Sequence, residues 1–334
     1  MRLTNTQETY GLVHQLLHWT TAALILTLIP VGIYMYDMPI ETPEQVADKV
    51  WLYSLHKTVG IAALFVALAR IVWAIVQPHP RLLNGGLEAL AAKTVHWLLY
   101  GSIVAMPVLG WLHHAASSGY APHWWPFSQN LPFVPKDPAL SAFFGTAHWV
   151  FGIVLVGSLF LHIAGAVKHA AVDKDATLKR MVPGAYGETG VLPTKKGGDA
   201  PALALALGVA VLAAGVVSGI HLYRTANDAP IVASLPAPAS AGAWVIDRQA
   251  SDVAITVTQI GNPVEGKFGE WQADVIFDAD ALDASRIDAQ VAIGSLTLGD
   301  VASQAIGPDY LNAAANPTAT FVSDNIVAEG EGFV

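Results

Sequence analysis

Residues 148–162 read HWVFGIVLVGSLFLH, an apolar stretch with no charged residue and a histidine at each end. Fourteen positions separate the two, close to four turns of helix. A helix here therefore sets His148 and His162 on roughly one face, about 21 Å apart. The charge-free run around them, Ala139 to Val167, is long enough to cross a bilayer, which takes about 20 apolar residues. An imidazole at that depth is costly and is by default a functional candidate.

The same pattern extends outward along the chain. Asp, Glu, Lys and Arg are also absent from Thr9 to Tyr36, Thr94 to Pro135 and Ala200 to Tyr223. A further run, Trp51 to Val76, is broken only by Lys57 and Arg70. The stretch from Thr94 is too long for one helix. Pro107 predicts a kink within the span, and Pro122, Pro126, Pro132 and Pro135 mark a loop after it. Five transmembrane helices are expected, four close together and one alone. The first run is too long for a removable signal peptide and lacks its basic start and small-residue cleavage site.

Loop charges give the orientation. Asp37, Glu41, Glu44 and Asp48 follow the first span, with Lys49 alone against them. Arg81 and Lys93 follow the second, with Arg70 at its edge, and Lys168, Lys174, Lys179, Arg180, Lys195 and Lys196 follow the fourth. The positive-inside rule puts the N-terminus and both basic segments in the cytoplasm, and everything beyond Tyr223 outside. Residues Ala229 to Ala243 form an Ala/Pro/Ser linker. Beyond it lie short strand-like runs: Val253 to Val257, Ala273 to Phe277, Ile287 to Ile293 and Thr320 to Val322. They are too few to close a barrel, so this segment reads as a fragment or as a fold that a partner completes, the former being preferred.

The 334 residues include 13% charged and 53% hydrophobic residues, 12 His and no Cys, with a formal net charge of −9. Ordinary globular chains carry about a quarter charged residues. The acidic balance excludes an electrostatic nucleic-acid binder, and the absence of Cys excludes disulfides, thiolate catalysis and Cys-ligated metal clusters. Four histidines lie within spans: His18, His56, His148 and His162. Alternating helix directions bring His56 level with His148 and His18 level with His162. Each has a small residue one turn on, Ala22, Gly60, Gly152 and Ala166 in turn, and a flat macrocycle needs such a notch beside its ligand. Zinc would require three or four ligands converging on one point, and a proton relay would require intramembrane carboxylates. Two pairs at two depths suit two six-coordinate b-type haems; the alternative is neutral histidines hydrogen-bonded between helices. Arg70, Lys57 and His96 are candidates for haem propionate contacts, although either cation also fits a snorkelling role.

His18-Trp19, Leu55-His56-Lys57-Thr58-Val59-Gly60, Pro107-Val108-Leu109-Gly110-Trp111, His148 with Leu161-His162, and the tail Lys174-Asp175-Ala176-Thr177-Leu178-Lys179-Arg180-Met181 together resemble bacterial cytochrome b561. The resemblance covers about residues 5 to 185. It implies a four-helix di-haem protein of the inner membrane, passing electrons between quinol or quinone and other redox partners. His56 with His148 would hold the outer haem iron, and His18 with His162 the inner one. Trp244-Val245-Ile246-Asp247, Val264 to Gly269, Ile276-Phe277-Asp278, Gly294 to Thr297 and Asn316 to Phe321 resemble the YceI-like family, a lipocalin-like barrel that binds polyisoprenoids. That match covers the first half of the barrel, and residues before Asp309-Tyr310-Leu311 depart from the family pattern.

The expected fold is an all-α membrane four-helix bundle plus a fifth transmembrane helix, followed by a partial all-β lipocalin-like barrel. The expected domains are 5–185 (di-haem bundle), 186–200 (cytoplasmic linker), 201–223 (fifth span), 224–243 (periplasmic linker) and 244–334 (YceI-like). The leading function is quinone-linked transmembrane electron transfer, as an oxidoreductase of the respiratory chain. Its cofactors would be two haem b and ubiquinone or another isoprenoid quinone. Its partners would be the bilayer, a redox protein and a second copy of the chain. The alternatives are a membrane-anchored lipid-binding protein and the cytochrome b subunit of a larger dehydrogenase or hydrogenase complex.

Overall fold

The computed structural model describes residues 2–39, 42–117, 121–183, 198–227, 244–259, 262–299, 302–307, 310–323, 326–329 and 332–333. The expected linkers 186–200 and 224–243 fall largely outside the described residues, as do Lys195, Lys196 and Asp309. Two compact units form: helices up to Tyr223, and a β-rich segment from Arg224 onward.

The helical unit contains α1 (Leu12–Asp37), α2 (Pro43–Val76), α3 (Gly86–Ala116), α4 (Pro138–Lys168) and α5 (Ala200–Asn227). All five are long and apolar enough to cross a membrane. One residue from each of the first four meets at mid-length: Ile25, Ala67, Ile103 and Leu155 form a buried layer, with Ala67 at 0% exposure. Leu155 lies seven residues from both His148 and His162, so this apolar layer separates the two histidine levels. Helix α5 packs on α4 through apolar side chains, Ala213 and Val217 against Ala147 and Val150. Large apolar side chains such as Ile33, Phe65, Ile75, Phe160 and Leu212 point outward, as a lipid-facing surface requires.

Helix α2 starts earlier than hydropathy suggests, because its cap dominates. The Thr42 hydroxyl accepts from the Gln45 N–H, the Gln45 side chain accepts from the Thr42 N–H, and Pro43 opens the first turn. This capping box with proline at the first helical position draws Glu44 and Asp48 out of the loop and into the helix.

At the end bearing the N-terminus, three segments interlock. Asn5 accepts from the Gly11 N–H and donates to the Pro78 carbonyl, while the Arg81 N–H donates to Gln7. After α4 the helix loosens into a π-turn, His169–Asp173, and stops at Lys174 in the left-handed conformation. His169 Nδ1 lies 2.9 Å from Asp175 and 3.0 Å from Asp173, and Lys168 pairs with Glu88 and Asp173. Asp175 accepts from the Thr177 N–H at 2.7 Å and starts the tail's next turn.

The second unit holds two three-stranded antiparallel sheets and a two-stranded one. Strands β1 (Ala254–Gln259), β2 (Asn262–Phe268) and β5 (Leu296–Thr297) make the first, in the order β1-β2-β5. The second, ordered β3-β4-β6, comprises β3 (Trp271–Ile276), β4 (Arg286–Ala292) and β6 (Thr318–Val322). Strands β7 (Ala328–Glu329) and β8 (Gly332–Phe333) form the last. Ile255 and Val257 alternate onto a core of Val264, Leu296 and Leu298. Among the described residues the sheets do not close into a barrel, the architecture of a partial YceI-like fold.

Two outcomes follow from this packing. Ala67→Leu overfills the shared layer and should cost about 1–3 kcal/mol, read as a lower unfolding midpoint in detergent; an unchanged midpoint would mean that the layer is loose. Burial alone would raise the Asp175 pKa, but hydrogen bonds from Thr177, with His169 and Asn84 nearby, hold it below the usual 3.8. Such a carboxylate stabilises the tail above its unfolded value and loses that contribution as pH falls through the depressed one. Exchange protection of the Thr177 amide should thus survive to below pH 3.8 and be weakened in Asp175→Asn already at neutral pH.

Candidate functional site

The bundle brings the four span histidines together as two pairs. His56 on α2 faces His148 on α4 with ring centroids 6.4 Å apart and planes at 76°. His18 on α1 faces His162 on α4 at 6.0 Å and 57°. Two imidazoles on opposite sides of one metal, each bonded at about 2 Å, have centroids about 6 Å apart. Both pairs therefore have the separation that one six-coordinate iron requires.

The first pair is oriented by a local device absent from the sequence reading. A Cβ on Gly32 of α1 would lie 3.1 Å from His56, and one on Gly110 of α3 would lie 3.2 Å from His148. His148 Nδ1 is 2.9 Å from the Met106 carbonyl, four residues before Gly110. The carbonyl four residues before Gly32, that of Leu28, lies beside His56, whose Nδ1 is buried without a well-formed hydrogen bond. His113 repeats the arrangement, against Gly145 and 2.9 Å from the Ser141 carbonyl. A Nδ1–H held on a carbonyl leaves Nε2 with its lone pair free for a metal, the usual orientation of a ligating histidine. Gly32 and Gly110 had one signal in the sequence: each follows an intrahelical proline, Pro30 or Pro107, by two or three residues.

The second pair sits among other polar groups. Arg70 Nη2 lies 3.2 Å from His18 Nδ1, and its guanidinium stacks over Tyr100 at 5.2 Å. The His96 ring is 5.1 Å from His162, and its Nδ1 is 2.7 Å from the Ala92 carbonyl. His14 is buried and stacked on Tyr10 at 4.4 Å.

Space beside the rings differs among the expected notches. Nothing lies within 4 Å of a Cβ on Gly60, whereas one on Gly152 would meet the Met106 methyl at 3.4 Å. Ala22 and Ala166 stand one turn from His18 and His162 on the same helices. Lys57 is buried, and its ammonium donates to the Ala121 carbonyl. Next to it, Thr58 accepts from the Trp124 N–H and the Trp125 indole N–H, both at 3.0 Å. The loop from Ala121 is thus stitched to α2 beside His56. His113 and His114 are half-buried with rings 4.8 Å apart.

Comparison with known proteins identifies the family of each segment. The family model described as prokaryotic cytochrome b561 matches residues 9–184, and a YceI-like domain model matches residues 244–333. Cytochrome b561 homolog 2 of Escherichia coli K12 is 29% identical over 201 residues, covering 57% of this chain and 100% of the relative. A probable superoxide oxidase of Yersinia pestis is 25% identical over 172 residues, 50% of this chain and 92% of the relative. A UPF0312 protein of Shewanella sp. strain ANA-3 is 33% identical over 102 residues, 29% of this chain. The chain spans 53% of that relative's length. A family match over more than half the chain, falling on helices that bear paired intramembrane histidines, makes this chain a member of the prokaryotic cytochrome b561 family: a multi-pass bacterial membrane protein of electron transfer with b-type haem, followed by a YceI-like segment.

Proposed function

We propose that the bundle holds two b-type haems, one between His56 and His148 and one between His18 and His162, and links a quinone pool to a redox partner across the membrane. The observation that carries this is the pair of centroid separations, 6.4 and 6.0 Å, at two levels divided by the Ile25–Ala67–Ile103–Leu155 layer. Bound haem iron supplies reversible one-electron chemistry, tuned by its ligands, burial and nearby hydrogen bonds. The chain supplies the rest. Met106 orients one ring, Gly32 and Gly110 let rings approach the helices, and the apolar layer keeps water from the path between the two levels.

Arg81, Lys93, Lys168, Lys174, Lys179 and Arg180 gather at the His18/His162 end, while Asp37, Glu44 and Asp48 lie at the other. The positive-inside rule makes the His18/His162 site cytoplasmic and the His56/His148 site periplasmic. The fifth span then carries the YceI-like segment to the periplasm, where an isoprenoid-binding fold raises the local concentration of quinone near the outer site. The relative named as a probable superoxide oxidase makes superoxide a second electron donor to include in the assay.

Replacing His56 or His148 with Ala should remove one haem and leave the other, and His18→Ala or His162→Ala should remove the complementary one, read from haem stoichiometry and reduced spectra. Depletion of one spectral component by both His18→Ala and His56→Ala would overturn the pairing. Full-length protein should also reduce its outer haem faster at limiting quinol than a chain ending at Asn227; equal rates would refute delivery by the β segment.

A further inference from the structure

The tail motif Lys174–Met181 enters the function just described only through its loop charges, yet two of its residues are laid against the helix that bears His18. Gln15 Nε2 donates to the Arg180 carbonyl at 2.9 Å, and the Trp19 indole N–H donates to the Met181 carbonyl at 2.7 Å. Gln15 and Trp19 flank His18 within one turn of α1, so residues 180–181 are laid against the helix at that level. The Arg180 side chain is turned inward, at 8% exposure. Its Nη1 donates to the Arg81 carbonyl at 2.7 Å, and its Nε is buried without a partner.

A second guanidinium lies at the same end of the bundle. Arg70 reaches His18 from α2, and its Nε is likewise buried without a partner. Tyr10, stacked on His14 at 4.4 Å, lies within electrostatic reach of both arginines. Glu8 and Asp175 are the carboxylates that Arg180 feels, and among the described residues neither arginine forms an ion pair. A buried guanidinium with an unused donor is costly, and its planar fork matches a carboxylate. One such fork stands beside His18, and the other is buried in the tail laid against the same helix, where a porphyrin with two propionate carboxylates is proposed.

We propose that Arg70 and Arg180, one from α2 and one from the tail, receive the two carboxylates of the haem held by His18 and His162, and that Arg180 thereby sets how readily this site takes up an electron. The inference rests on the haem assignment above. Arg70 is a propionate candidate from sequence; Arg180 is not. A fixed positive charge at low dielectric favours the state with the added electron. The structure places the Arg180 main chain against α1 and buries its side chain at the same end of the bundle.

The test is a spectroscopic redox titration of the purified full chain, with the component belonging to His18/His162 identified as the one lost in His162→Ala. Arg180→Gln should keep full haem content while the reduced-to-oxidised ratio of that component falls about tenfold at fixed potential, about 59 mV for one electron. Arg180→Lys should restore most of the shift, and the other component should stay in place. An unshifted potential in Arg180→Gln, or an equal shift in both components, would overturn the proposal. If Arg180→Gln does not accumulate, infrared difference spectra of the wild type on reduction should contain a band that moves with 15N-arginine labelling, and its absence would overturn the proposal equally. A wild type that titrates as a single component would instead refute the di-haem reading.

Discussion

An imidazole held at hydrocarbon depth has no water to satisfy its nitrogens, and the bundle is organised around that constraint. Helical carbonyls retain a second lone pair after accepting their own N–H, but side chains on the same helix shield it. Where a glycine stands four residues further on, the shield is gone. His148 on Met106 with Gly110, and His113 on Ser141 with Gly145, meet in this way, and His56 approaches Gly32 by the same route. In His148 one nitrogen is committed to the backbone, and the ring faces that of His56 across the bundle.

The remaining packing keeps the two presentation levels apart. Ile25, Ala67, Ile103 and Leu155 contribute one side chain per helix, and the smallness of Ala67 lets α2 come close enough to seal the layer. Helix α5 lies against α4 on its other side, so the helix that supplies a histidine to each level is braced from both directions.

Much of this was legible in the sequence. The fourteen-residue spacing on α4, the charge-free runs and the depth matching of His18 and His56 depend only on helical period and rise, and the structure places all four rings as those quantities require. What was not legible depends on contacts between distant segments. Gly32 and Gly110 acquire meaning only once a ring from the next helix is beside them. Arg180 reads as one more basic residue until the tail folds back onto Gln15 and Trp19. The start of α2 was misjudged by hydropathy because a capping box acts through Thr42 and Gln45, which are polar. Strand β2 was missed because Pro263, Glu265, Gly266 and Lys267 conceal its alternation; its pairing with β1, Ala254 to Lys267 through Gln259 to Asn262, supplies the strand instead.

The glycine approaches have an order to them. Gly32 on α1 receives the ring of α2, and Gly110 on α3 receives the ring of α4, so each contact lies within one helical hairpin. A hairpin entering the bilayer during synthesis thus orients its own imidazole before the other hairpin exists. The facing partners are divided differently: α1 and α2 each oppose α4. Association of the first hairpin with the second therefore creates both facing pairs in one step.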